Sequence, residues 1–256
     1  MIIADKAQLG NVSSAVRQSG RVASIDKRRI VLAGLGAKLR YRYNGGMEIT
    51  PSSLPWQSVY KLMIGSIVPR PIGWISTVDA AGRPNLAPFS FFNAAGANPP
   101  HVLFCPMVRD TDAQAKDTLQ NVRATGEFVV NIFGEALAAQ MNITSTEFPA
   151  DVDEFAAAGL TPAPSLTVRP PRVAESPMHY ECQVAQIVDL GQEPGAGSIV
   201  IGRVLHIHVA DELLIGGDKI DIAALQPIGR LAGNSYCRVA PAMFDLPRPA
   251  SQIRSK

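Results

Sequence analysis

Between residues 72 and 209, apolar and polar positions fall into short blocks punctuated by glycine, proline and asparagine. Residues 72–78, 85–92, 101–106, 127–133, 179–190 and 198–209 are rich in β-branched and aromatic residues, and each is bounded by turn residues. That pattern predicts strands. The first two are joined at Ala80-Ala81-Gly82, and the last two form a long antiparallel pair across the loop at 191–197. Residues 117–125 predict a helix that ends at Gly126, and shorter helical pieces are expected at 58–64, 135–142 and 152–158. A polar, proline-rich excursion occupies 144–177. Strands dominate and no strict βαβ alternation occurs, so the expected fold is mainly β with α decorations: a closed, Greek-key-like antiparallel barrel.

The segment from Pro69 to Asn93 departs from a plain strand pattern. Its second strand, Asn85-Leu86-Ala87-Pro88-Phe89-Ser90-Phe91-Phe92, carries a proline and polar residues inside an apolar run. Pro88 lacks a backbone donor, which disfavours a continuous central strand. A barrel rim, a bulge or a backbone facing a ligand fits it better.

Composition narrows the class. The 256 residues are 46% hydrophobic, ample for one large domain or two small ones. No apolar run approaches the roughly 18 residues of a membrane span. The first residues lack the pattern of a secretory signal, so a cytoplasmic protein is expected. Cys105, Cys182 and Cys237 are far apart and lack zinc-ligand spacing, which points to reduced thiols. Residues 1–46 hold nine basic and two acidic residues, a charge of +7 that leaves −5 for the rest. This extension reads as a basic tail, as a transit peptide, or as a segment foreign to the folded domain, with Met47 as the true start. Its basic residues are not interleaved with aromatics, so nucleic-acid binding is not expected.

Candidate chemistry lies in two places. Lys116-Asp117-Thr118 opens the predicted helix, whose first amides lack partners within the helix. A lysine and a hydroxyl there make a phosphate cradle; an ordinary capped surface helix is the alternative. Ser76, Thr77, Asn85, Ser90 and Asn93 lie near strand ends, where they can bond a heteroaromatic ring or a ribityl chain. Trp74, Phe89, Phe91 and Phe92 offer walls for a pocket, or else they are barrel core. No Gly-x-Gly-x-x-Gly follows a strand and no Gly-x-Ser-x-Gly elbow exists. His206 and His208 share a strand face without an evident third metal ligand.

Five motifs in order resemble the flavin reductase-like, FMN-binding split-barrel family over about residues 56–239. They are Pro69-Arg70-Pro71-Ile72 with Ile75-Ser76-Thr77, then residues 85–92, then Lys116-Asp117-Thr118 with Asn121, then Glu127-Phe128-Val129-Val130-Asn131, and last Pro227-Ile228-Gly229-Arg230-Leu231 with Tyr236. The resemblance implies a split barrel over residues 47–256, a homodimer, and FMN near the subunit interface. It implies that Ser76, Thr77 and Asn85 line the flavin tail. Ala87, Pro88, Phe89, Ser90 and Phe91 would run along the ring, and Lys116, Asp117 and Thr118 would take the phosphate. Arg230 would approach the flavin or the nicotinamide. The implied activity is hydride transfer from NAD(P)H to flavin, with a monooxygenase component or another electron acceptor as partner. The flavin carries the redox chemistry, so no catalytic side chain or metal is expected. An FMN-binding electron carrier without its own nicotinamide site is the alternative, and a barrel for another planar ligand such as haem is a third.

Overall fold

The structure is a computed structural model that describes residues 40–41 and 47–249. The chain falls into two units, residues 1–55 and 56–256. In the first, Arg40–Tyr41 pairs antiparallel with Met47–Glu48, and a 3-10 turn follows at Pro51–Ser53. Apart from Arg40–Tyr41, the basic extension expected over 1–46 lies outside the described residues.

The second unit is built on seven strands: β1 (Gly73–Val78), β2 (Pro84–Phe89), β3 (Phe92–Ala97), β4 (Pro100–Phe104), β5 (Glu127–Ile132), β6 (Met178–Asp189) and β7 (Ser198–Val209). Every neighbouring pair is antiparallel, in the order β2-β1-β5-β6-β7-β4-β3. The two edge strands, β2 and β3, follow one another in the chain with only Ser90 and Phe91 between them. From Phe89 to Phe92 the chain can span only about 10 Å. The sheet must therefore curl until its edges meet at that bend and splay apart beyond it.

The contact at Gly73 agrees with this closure. A Cβ there would sit 2.6 Å from the Phe92 ring, so a side chain on β1 would collide with the strand at the far edge of the sheet. Pro88 falls on an edge strand, where one side of the backbone has no neighbour and a missing donor costs little.

Alternation along β1 separates two cores, and all six of its residues are buried. Ile75 faces the barrel interior with Phe89, Phe104, Phe128, Val130 and Cys182. Phe104 packs at 5.1 Å from both Phe89 and Phe128. Trp74 faces the other way, against Phe133, Met141, Phe155 and Val173. Asn131 on β5 ties this outer layer down: its Nδ2 donates to the Trp74 carbonyl and to Ser76 Oγ, and its Oδ1 accepts from Val173 N. On β6, the buried Glu181 carboxylate accepts from the Leu166 and Thr167 amides, the Thr167 hydroxyl and His208. Burial alone would raise its pKa; those hydrogen bonds prevail and hold it at about 2. The proline-rich excursion is anchored to the barrel there.

Helices decorate this frame: α1 (Trp56–Ser66), α2 (Asp117–Thr125), α3 (Ala138–Ile143) and α4 (Glu154–Ala158). Leu119 and Val122 bury one stripe of α2 in the barrel core. Gly126, with φ +72°, ends that helix in the left-handed conformation that glycine adopts without penalty. Asp153 caps α4 by accepting from Phe155 N and Ala156 N. A hairpin of β8 (Ile228–Arg230) and β9 (Tyr236–Arg238) completes the walls of the site. No helix among the described residues is long and apolar enough to cross a membrane.

Candidate functional site

Two clefts meet along β2, with Pro88 and Ser145 lining both. The wide one has a volume of about 730 Å³. α1 supplies Trp56, Tyr60 and Lys61 to it, the β8–β9 hairpin supplies Arg230 and Tyr236, and Ser90 lies at the bend where the barrel closes. The hairpin is held by a backbone bridge between Arg70 and Arg230, with N–O distances of 3.0 and 2.9 Å. Arg230 lies over the Tyr236 ring, 4.5 Å from its centroid, and donates to the Gly233 carbonyl at 2.6 Å.

Arg70 joins these walls. It is 4% exposed. Its Nη1 donates to the carbonyls of Ile64 and Ile67 at the end of α1, at 2.8 and 3.0 Å. Nη2 donates to the Leu231 carbonyl at 3.0 Å, and Nε to Ser90 Oγ at 3.3 Å. A cation at a helix C-terminus satisfies orphan carbonyls and opposes the helix dipole. Desolvation lowers the Arg70 pKa, yet an arginine keeps its charge.

The narrow cleft, of about 220 Å³, ends at the start of α2. Lys116 is the N-cap residue; its carbonyl accepts from the Leu119 and Gln120 amides, but its side chain makes no cap, so the Asp117 and Thr118 amides have no hydrogen-bond partner among the described residues. Its own ammonium has no hydrogen-bonded or ion-paired partner among the described residues, and burial, opposed by Glu147, lowers its pKa. Arg109 is engaged by Asp112 and Asp117, at 3.2 and 2.7 Å. Glu147 and the buried Glu154 also face this cleft. Burial raises the Glu154 carboxyl, and the Leu86 amide that donates to it only partly offsets that.

Beneath the cleft lies a buried polar network. Thr77 Oγ1 accepts from Asn85 Nδ2 at 3.3 Å and from Asn121 Nδ2 at 3.0 Å, and Asn85 Nδ2 also donates to Thr118 Oγ1 at 3.0 Å. A cleft with aromatic walls thus meets one that ends at Lys116 and at two helix amides, those of Asp117 and Thr118, that lack partners among the described residues. A planar heteroaromatic ring with a phosphorylated tail has this outline, so the residues present fit a flavin nucleotide.

Residues 64–219 match the family model described as "Flavin reductase like domain". The chain belongs to the flavin reductase-like family. It is 40% identical over 205 residues to an uncharacterised protein of Halalkalibacterium halodurans, covering 79% of this chain and 97% of that one. Among solved structures it is similar to nitrilotriacetate monooxygenase component B from Bacillus cereus, at 36% identity and TM-score 0.73, over 78% of this chain and 98% of that one. It is also similar to the 2-nitrobenzoate 2-nitroreductase NbaA of Pseudomonas fluorescens, at 31% identity and TM-score 0.69, over 81% and 98%. The family and these neighbours make the chain a flavin reductase-like oxidoreductase, and its antiparallel fold is shared with a flavin reductase from Shewanella frigidimarina described as having a split barrel domain, as expected from the sequence.

The residues singled out in the sequence are distributed unevenly in this family member. Asn85, Ala87, Pro88, Lys116, Asp117 and Thr118 line the narrow cleft, and Pro88, Ser90 and Arg230 the wide one. Phe91 lies beside Tyr60 and Arg70, with centroid distances of 6.5 and 6.0 Å. Thr77 belongs to the network under the narrow cleft. Ser76 lines neither cleft: it points into the outer layer, donates to the Pro171 carbonyl at 2.5 Å and accepts from Asn131. Phe89 and Trp74 are core, one in each layer.

Trp56, Tyr60 and Tyr236 take the place of Trp74 and Phe89 as aromatic walls. Sequence reasoning did not assign Arg70, Glu147 or Glu154 to the site. Arg70 stood in a quoted motif, but only its burial reveals its part. Nothing local marks Glu154 beyond its place after the capping Asp153.

Proposed function

We propose that this protein is an NAD(P)H-dependent flavin reductase that holds FMN across its two clefts and passes electrons to a second acceptor, such as a monooxygenase component. The observation that carries this reading is the junction at Pro88. The wide cleft has room and aromatic walls for a ring system, and the narrow one ends at Lys116. Lys116 and the first amides of α2 would hold the phosphate, and Asn85 and Thr118 the tail. The backbone of 87–90 and the Ser90 hydroxyl would meet the ring edge. Bound flavin supplies reversible two-electron chemistry that side chains lack. The walls from α1 and the β8–β9 hairpin orient the nicotinamide and exclude water. Similarity to a monooxygenase component B supports an acceptor protein as partner. Leu205 and Ile207, exposed side by side on β7, support the homodimer.

Steady-state oxidation of NADH and of NADPH, with FMN or FAD added, tests the reading. Flavin-dependent oxidation of at least one nucleotide is expected. Tight FMN binding with no oxidation of either would instead identify an electron carrier.

A further inference from the structure

The direction of one hydrogen bond constrains what the wide cleft can recognise. Arg70 Nε and Ser90 Oγ are 3.3 Å apart. A guanidinium has donors and no acceptor, so the serine oxygen must accept. The single proton of the Ser90 hydroxyl then points elsewhere, and among the described residues it has no acceptor. Ser90 lines the wide cleft. Arg70 is held by carbonyls from α1 and from Leu231, so it cannot turn aside without opening both walls.

We propose that Arg70 is a positioning residue that fixes Ser90 as a hydrogen-bond donor into the wide cleft, selecting a heteroaromatic ligand that presents a ring nitrogen or ring carbonyl there. The inference rests on the flavin reading above. A flavin ring edge carries acceptors and one N–H donor; a serine free to rotate could meet either, whereas one held by Arg70 meets only the acceptors. Among the described residues, the cleft is also lined by Lys61, Arg70 and Arg230 and by no carboxylate. Reduction puts an N–H on the central ring nitrogen and negative charge on the pyrimidine end of the ring, so a fixed donor among cations that meets a nitrogen or carbonyl of that end favours the reduced state.

The test is the midpoint potential and visible spectrum of FMN bound to the full chain, wild type and variants. Ser90→Ala is expected to reduce the preference for reduced over oxidised FMN about tenfold, which is about 30 mV for a two-electron couple. Ser90→Thr, which keeps the hydroxyl, is expected to stay near wild type. Arg70→Lys is expected to shift potential and spectrum in the same direction as Ser90→Ala, with no further shift in the double variant. A Ser90→Ala potential equal to wild type overturns the inference, as does full additivity in the double variant.

If Arg70→Lys does not fold, a crystal structure of the wild-type FMN complex decides. Ser90 Oγ within about 3 Å of a flavin acceptor, with the Arg70 contact intact, supports the proposal; a hydroxyl turned from the ring overturns it. Wild-type protein that leaves FMN fluorescence unquenched overturns the flavin reading and this inference together. Wild-type binding with an unaffected Ser90→Ala variant overturns this inference alone.

Discussion

The two clefts that meet at Pro88 are opposites in charge. Among the described residues, the wide one is lined by Lys61, Arg70 and Arg230 and by no carboxylate. The narrow one sets Lys116 and Arg109 against Asp117, Glu147 and Glu154. Arg109 is already committed to Asp112 and Asp117, so among the described residues an anion entering the narrow cleft has one unspent cation to meet, Lys116, beside three carboxylates. The wide cleft holds a diffuse positive field over aromatic walls, suited to a large planar group. The narrow one offers a single strong contact and several repulsive ones, suited to a small anion in one position. In the proposed complex, binding strength and selectivity would thus be divided between the two ends of one ligand.

The largest expected effect breaks the narrow end. Lys116→Ala should weaken FMN binding by about 1.5–3 kcal/mol, the range for hydrogen bonds to charged groups. Riboflavin, which lacks the phosphate, should bind both proteins equally in a fluorescence-quenching titration. Equal loss for both ligands would remove the phosphate from this end.

Next in size is Thr77→Val. It takes the shared acceptor from the Asn85 and Asn121 amides, both buried. Urea unfolding should show a loss of about 1–3 kcal/mol, the cost of leaving buried donors unpaired. An unchanged midpoint would mean that the network does not support the cleft floor.

At the wide end, Arg230→Ala removes a cation stacked on Tyr236 and should raise the KM for NAD(P)H about fivefold, on the order of 1 kcal/mol. A KM equal to wild type would detach the hairpin cation from nucleotide binding.

The smallest effect concerns pH. Burial raises the Glu154 carboxyl above its unfolded value. Its folded form therefore holds a proton more tightly than the unfolded chain does. The stability this brings is complete below the unfolded pKa and is lost as pH rises through the folded one. Glu154→Gln should flatten that dependence in denaturation curves and strengthen FMN binding slightly at neutral pH. A wild-type pH profile retained by the variant would assign the dependence to another group.

Much of the frame was legible in the sequence. The 198–209 strand and the 117–125 helix with Gly126 match their predicted bounds, and the other long strands differ by a residue or two. The largest departure is the expected strand at 85–92, which is two edge strands meeting at a bend. The helix expected at 135–142 is a 3-10 turn at Glu135–Leu137 followed by α3. Local periodicity and turn residues suffice for such elements. They do not suffice for the site. Alternation shows that Ser76 and Thr77 face opposite ways, and likewise Trp74 and Ile75. With β1 buried on both faces, it does not show which face meets the cleft.

What the amino-acid sequence determined by itself is most of the long strands, the start of α2 at Lys116, and the anomaly at Pro88. Each depends on residues within a few positions of one another. Tertiary structure decided how those parts face. Thr77 meets Asn121 across 44 residues, and Arg70 meets Leu231 across 161. Buried polar groups must be paired, but which partners pair them depends on how the sheet closes. Only when β2 and β3 meet at Ser90 and Phe91 does Arg70 reach Ser90, and only then does a proline-broken strand become the line along which two clefts join.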